Sequence, residues 1–110
     1  MGRDALGEFE LMVLLAAMRL GEEEAHALAI VEDIQGRTGR RVRRSAVYVT
    51  LKRLEEKGLV ATWLGDPRAE RGGKARRHVR VLPEGSVAIH QTRTALEEMW
   101  GGLDTAPEAG

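Results

Sequence analysis

The side chains able to do chemistry in this sequence fall into two clusters. The first, Arg43, Arg44, Ser45, Tyr48, Val49 and Lys52, puts three cations, two hydroxyls and a small apolar side chain within ten residues. The second, Arg68, Arg71, Lys74, Arg76 and Arg77, sets five cations around the pair Gly72 and Gly73. A guanidinium donates paired hydrogen bonds to phosphate or to a guanine edge, and an ammonium neutralises phosphate as a point charge. Serine and tyrosine hydroxyls bond to phosphate or base, valine can touch a thymine methyl, and glycine lets backbone approach a ligand closely. This is the chemistry of holding a polyanion rather than of breaking a bond.

No nucleophile, base and orienting group form a constellation that catalysis would need, so an enzyme is not expected. Cysteine is absent, and His26, His78 and His90 lie at spacings that match no metal motif, so neither a metal nor a cofactor is expected. Gly72-Gly73-Lys74 is not a phosphate-binding P-loop, because Arg68 stands where the first glycine would be and no strand-to-helix context surrounds it.

The formal net charge is zero, yet it is unevenly spread. Between Arg37 and Arg80 fourteen Lys or Arg stand against four acids, while the rest of the chain carries three basic and thirteen acidic residues. Such a split favours a polyanionic partner held against one face; the competing reading is a solvated surface of mixed charge. At 110 residues the chain is expected to form one domain, burying roughly 65% of the surface its unfolded form exposes. The lack of cysteine fits a reducing compartment, and the cytoplasm is expected. No secretory pattern opens the sequence, and its longest apolar block, Leu11 to Met18, is far short of the ~20 residues a membrane span requires.

The elements that must position the two clusters follow from periodicity. Leu6 to Leu20 is predicted as a helix covered on several sides. A second helix is expected from about Glu24 to Arg37, with Leu28, Val31 and Ile34 on one face and Gly39 just beyond its end; Glu22 to Glu24 reads as a solvated loop leading into it. The third is bounded by Ser45 as N-cap and Gly58 after the last turn. At 100° per residue, Val47, Leu51 and Leu54 make its core stripe, and Ser45, Tyr48, Val49, Lys52 and Glu56 point outward. Leu59 to Leu64 and Arg77 to Leu82 read as strands of a hairpin whose tip, Gly65 to Arg76, is long and basic. From about Glu84 to Trp100 a last helix carries the stripe Ile89, Thr92, Leu96, Met99 and Trp100, continued by Leu103.

The expected fold is therefore mainly α with a β-hairpin wing: a winged helix-turn-helix over residues 1–83, a C-terminal dimerisation helix over 84–103 and a flexible tail over 104–110. In that plan the third helix enters the major groove of double-stranded DNA, with Arg43, Arg44, Ser45, Tyr48, Val49 and Lys52 nearest the bases. Arg68, Arg71, Lys74, Arg76 and Arg77 lie along phosphates or in the minor groove. The last helix must bury its stripe, and a homodimer is expected through Leu11, Met12, Leu15, Ile89, Leu96, Met99, Trp100 and Leu103. Two half-sites about one turn apart, ~34 Å, would follow.

Four segments, taken in order, also resemble the PadR family of transcriptional regulators. Tyr48 followed by Leu51-Lys52-Arg53-Leu54-Glu55-Glu56-Lys57-Gly58-Leu59 is similar to that family's recognition-helix signature. So are the wing from Gly65-Asp66-Pro67 through Glu70-Arg71-Gly72-Gly73-Lys74 to Val81, the opening Leu82-Pro83-Glu84-Gly85 of the last helix, and Leu6-Gly7-Glu8-Phe9-Glu10-Leu11 in the first. The resemblance implies a winged-helix repressor, usually dimeric, with Tyr48 near DNA phosphate and the last helix pairing subunits. His26 departs from the aromatic or glycine-containing start common in the family's second helix. In part of the family an aromatic residue of the last helix lines a drug-binding cavity, which makes Trp100 a candidate effector-binding residue for a small aromatic molecule.

Each feature has a plainer alternative. Tyr48 can simply cover its helix, Trp63 belongs either to the hairpin core or to a ligand platform with the core favoured, and Trp100 can be interface packing alone. The functional readings are a sequence-specific dimeric repressor, a winged helix whose basic face binds an acidic protein, and the same repressor released by an aromatic effector.

Overall fold

The computed structural model describes residues 6–66 and 75–107. The chain runs α1 (Glu8–Glu24), α2 (Ala27–Thr38), α3 (Arg44–Glu56), β1 (Val60–Leu64), β2 (Arg77–Val81) and α4 (Pro83–Trp100). It is the mainly helical architecture with a two-stranded antiparallel hairpin expected from the sequence.

Helix boundaries differ from expectation where the cap is not a conventional one. Glu22 to Glu24 are not a loop opening α2; they form the last, exposed turn of α1, offset from the rest by a kink at Gly21. Helix α2 starts later, at Ala27, because the buried His26 ring is its N-cap: Nδ1 accepts from the Ala29 N–H at 3.2 Å. Ser45 is not the cap of α3. The helix begins at Arg44, the Arg43 carbonyl accepts from Ala46 N–H (3.1 Å) and Val47 N–H (3.3 Å), and Ser45 lies exposed in the first turn. The end of α3 is as punctuated as expected: Gly58 N–H donates to the Glu55 carbonyl (2.9 Å) and Leu59 N–H to the Leu54 carbonyl (3.0 Å). That paired closure needs the left-handed backbone of Gly58, φ 77°, and it brings Leu59 back against Leu54 in the core.

The core gathers Val13, Leu14 and Ala17 of α1, Ile30 and Ile34 of α2, Val47, Leu51 and Leu54 of α3, and Val60 and Val79 of the hairpin. The hairpin pairs Val60 with Val81, Thr62 with Val79 and Trp63 with His78. Its free edge is covered by the link between α1 and α2, where Val79 N–H donates to the Ala25 carbonyl at 3.0 Å and His26 bridges His78. Trp63 is not core: the register puts Val60, Thr62 and Val79 on the inner face, so Trp63 falls on the other, 40% exposed and stacked on His78. Helix α4 docks only by its first half, through Gly85, Ala88 and Ile89, and every residue from Arg93 to Pro107 is exposed. Among the described residues no helix is long and apolar enough to cross a membrane.

Candidate nucleic-acid interface

Burial of Val47, Thr50, Leu51 and Leu54 fixes the rotation of α3 and leaves its other side in solvent. Residues four apart stack on one helical face, so Arg44, Tyr48 and Lys52 form a row, flanked by Ser45 and Val49, all exposed. Arg43 stands at the N-cap and is exposed as well. Beside the row Tyr48, Lys52 and Arg77 line a recess of about 320 Å³ between α3 and the hairpin, together with Glu55 and Thr62. No local pattern in the sequence singles out the last two. Glu55 accepts from the Thr62 N–H (3.3 Å) and hydroxyl (3.0 Å), tying the outer side of α3 to β1 and fixing the recess walls. Of the second cluster, Arg76 is exposed and its Nη1 lies 2.8 Å from His26 Nε2, while Arg77 is half-buried. Arg68, Arg71 and Lys74 lie outside the described residues.

Ion pairing sorts the cations of the basic segment. Arg37 bonds Asp33 (3.0 Å), Arg40 bonds Glu8 (2.9 Å), Lys57 bonds Glu10 (3.0 Å) and Arg80 bonds Glu22 (3.5 Å). Among the described residues none of Arg41, Arg43, Arg44, Lys52, Arg53 and Arg77 has an acidic partner within 4.0 Å. The cations on the α3 row and in the recess beside it are thus not offset by an acid within 4.0 Å among the described residues. The Lys57 and Glu10 pair is the best shielded: the Glu10 carboxylate also accepts from the Gly7 N–H at 2.9 Å, so one acid anchors the start of α1 to the end of α3. Burial pushes the Glu10 pKa up, but the Gly7 N–H, Lys57 and Arg53 outweigh it and hold the carboxyl below the ordinary range. Among the described residues no group of three or more His, Cys, Asp or Glu could hold a metal.

The expected pairing residues divide in two. Leu11, Met12 and Ile89 are half-buried within their own chain, Met12 and Ile89 packed against its core, so this part of the expected pairing surface is occupied already, and Met12 Sδ accepts from Arg40 at 3.7 Å. Leu15 and Leu96 are exposed, Trp100 more so, and Met99 and Leu103 reach 77% and 66% exposure. Met18 and Val87, also exposed, extend the apolar surface beyond what periodicity indicated. The Trp100 indole N–H donates to Thr105 Oγ1 at 3.1 Å, which draws the tail back over the end of α4.

Comparison with known proteins finds that residues 14–91 match the model of the transcriptional regulator PadR-like family. The chain is 36% identical over 90 residues to transcriptional regulator Rv3488 of Mycobacterium tuberculosis, covering 76% of this chain and 79% of that one. A PadR family transcriptional regulator from Eggerthella lenta superposes with a TM-score of 0.65 at 24% identity, covering 82% of this chain and 75% of that one. Bacillus subtilis PadR, solved in complex with operator DNA, superposes with a TM-score of 0.58 at 16% identity over 93% of this chain and 53% of that one. At these identities the two structural likenesses speak to fold.

Proposed function

Because the chain belongs to the PadR-like family of transcriptional regulators, we propose that it is a sequence-specific DNA-binding repressor acting as a homodimer on a roughly palindromic operator. The observation that carries this reading is the row Arg44, Tyr48 and Lys52, next to Arg77, without acidic partners among the described residues. A helix fits the major groove, and unpaired cations beside a tyrosine hydroxyl at its rim suit phosphate, with Arg43, Arg44 and Val49 toward base edges. The fold shared with a PadR protein solved on its operator supports the same placement. A dimer seated on a promoter excludes polymerase, and such a protein acts in the cytoplasm.

The homodimer reading rests on Leu96, Met99, Trp100 and Leu103, exposed along one helix end, with Leu15 and Met18 on α1. Large apolar side chains stabilise by about 1.5–3 kcal/mol each when fully buried, so covering this stripe offsets much of the cost of association and favours pairing. An effector is a second reading, favoured by the exposed indole of Trp100, on which a planar aromatic molecule can stack.

The test is selection of bound genomic fragments, footprinting, and affinity measurement with Tyr48→Ala. The expected result is a palindromic footprint and a loss of about tenfold or more in the variant. Equal affinity for selected and random DNA, unchanged by Tyr48→Ala, refutes the reading. Sedimentation tests the dimer: the wild type should run as a dimer and Met99→Glu as a folded monomer. Planar aromatic dyes that leave both Trp fluorescence and DNA affinity unaltered remove the effector for those compounds.

A further inference from the structure

The recess beside α3 holds opposite charges that stay apart. Lys52 and Arg77 bring its cations and Glu55 its acid, with Tyr48 and Thr62 completing the lining. Lys52 and Glu55 stand three residues apart on α3, a spacing at which exposed opposite charges commonly pair. Here they do not. Among the described residues no acid, Glu55 included, lies within 4.0 Å of Lys52 or Arg77. The reason is Thr62. This one residue takes both oxygens of the Glu55 carboxylate, Oε1 accepting from its hydroxyl at 3.0 Å and Oε2 from its N–H at 3.3 Å.

Strand register puts the threonine where it can do this. Thr62 opposes Val79 and Leu64 opposes Arg77, so Thr62 and Arg77 share the face of the hairpin turned toward α3. Thr62 is half-buried there, whereas Glu55 is exposed and held by nothing else among the described residues. Released from β1, the same carboxylate would share a recess of about 320 Å³ with two cations and compete with phosphate for them. An exposed ion pair that must break before phosphate is bound weakens binding about 2.3-fold, and a symmetric dimer breaks it twice, about fivefold in all.

We infer that Thr62 is a positioning residue for DNA binding: it holds the Glu55 carboxylate against β1 and so keeps Lys52 and Arg77 open to phosphate. The inference rests on the DNA-binding reading above. Its signature is conditional. Losing the Thr62 hydroxyl weakens binding while Glu55 carries its charge, and costs nothing once that charge is removed.

The experiment is a double-mutant cycle on operator affinity with Thr62→Val, Glu55→Gln and the two combined. Valine keeps the size and branching of threonine and loses only the hydroxyl, leaving the longer N–H bond at 3.3 Å. Glutamine keeps an acceptor for Thr62 and has no charge with which to pair a cation. Thr62→Val is expected to lose about fivefold, Glu55→Gln to bind more tightly than the wild type, and the double variant to bind as Glu55→Gln does. The loss in Thr62→Val should shrink as salt rises, because an exposed ion pair is screened. A crystal structure of Thr62→Val without DNA should show the Glu55 carboxylate paired with Lys52 or Arg77. Unchanged affinity in Thr62→Val, a loss that persists when Glu55→Gln is added, or a carboxylate that stays at β1 in the crystal overturns the assignment. If neither wild type nor variants bind DNA, the DNA-binding reading fails, and the crystal structure still decides whether Thr62 keeps the acid off the cations.

Discussion

Replacing Lys52 with alanine gives the most direct measure of whether the cations of α3 meet phosphate. Lys52 lines the recess with Tyr48 and Arg77 and has no acidic partner within 4.0 Å among the described residues, so its charge is available to a ligand. Neutralising one DNA phosphate releases counterion and contributes about 0.9 to the slope of log affinity against log salt. A symmetric dimer makes the contact twice, so Lys52→Ala should flatten the slope by about 1.8. Referred to ~1 M salt, that amounts to roughly sixtyfold weaker binding at ~0.1 M, or ~2.4 kcal/mol. Arg40→Ala and Arg80→Ala are the internal controls. Their charges are compensated by Glu8 at 2.9 Å and Glu22 at 3.5 Å, so each should change the slope by less than about half a unit. Fluorescence anisotropy on a footprinted operator across a salt series measures all three. If the controls flatten the slope as much as Lys52→Ala does, or Lys52→Ala leaves it unchanged, the sorting of cations by ion pairing is wrong.

Two further outcomes concern the scaffold behind that surface. Glu10→Gln should cost about 2 kcal/mol in urea unfolding, below the 3–5 typical of a broken buried pair because the Lys57 side chain is 26% exposed. The folded pKa of Glu10 lies below its unfolded value, so its stabilisation is whole above about pH 4.3 and is lost as pH falls through the lowered value; stability curves of wild type and variant that run parallel into acid would contradict this. At Gly85 a β-carbon would lie 2.4 Å from the Leu59 carbonyl oxygen, where backbone must yield, so Gly85→Ala should lose about 2–3 kcal/mol and on the order of 10 °C in Tm. An unshifted melting curve would show that α4 can move off Leu59 without cost.

The sequence made some of these features readable and hid others for identifiable reasons. The core stripe Val47, Leu51 and Leu54 and the outward row with Tyr48 and Lys52 follow from helical period, which is local, and both stand in the structure. Gly39 and Gly58 end their helices as expected because a left-handed residue suits glycine. Ser45 misled because a serine is a good cap only where the backbone turns into the helix, and here it does so two residues earlier. His26 was visible as an irregularity, but its role depends on a ring nitrogen reaching Ala29 and on Arg76 arriving from fifty residues away. Hydrophobicity alone places Trp63 in the core, whereas its exposure is decided by strand register.

The zero net charge is best understood through α1. Its acids Glu8, Glu10 and Glu22 reach Arg40, Lys57 and Arg80, partners 32, 47 and 58 residues distant, so no count along the chain could have subtracted them. These three pairs neutralise Arg40, Lys57 and Arg80 and, among the described residues, leave the cations on α3 and Arg77 without an acid within 4.0 Å. A surface built this way concentrates its field on one row instead of spreading it over the molecule, which favours a defined docking geometry over general adhesion to polyanions. The groups that set the row's geometry are themselves not cationic: Glu55 ties α3 to β1 through Thr62, and the His26 ring meets the stem at Arg76. Cations alone would repel one another and splay the hairpin from the helix. The acidic and neutral side chains behind them supply the rigidity that the proposed reading surface requires.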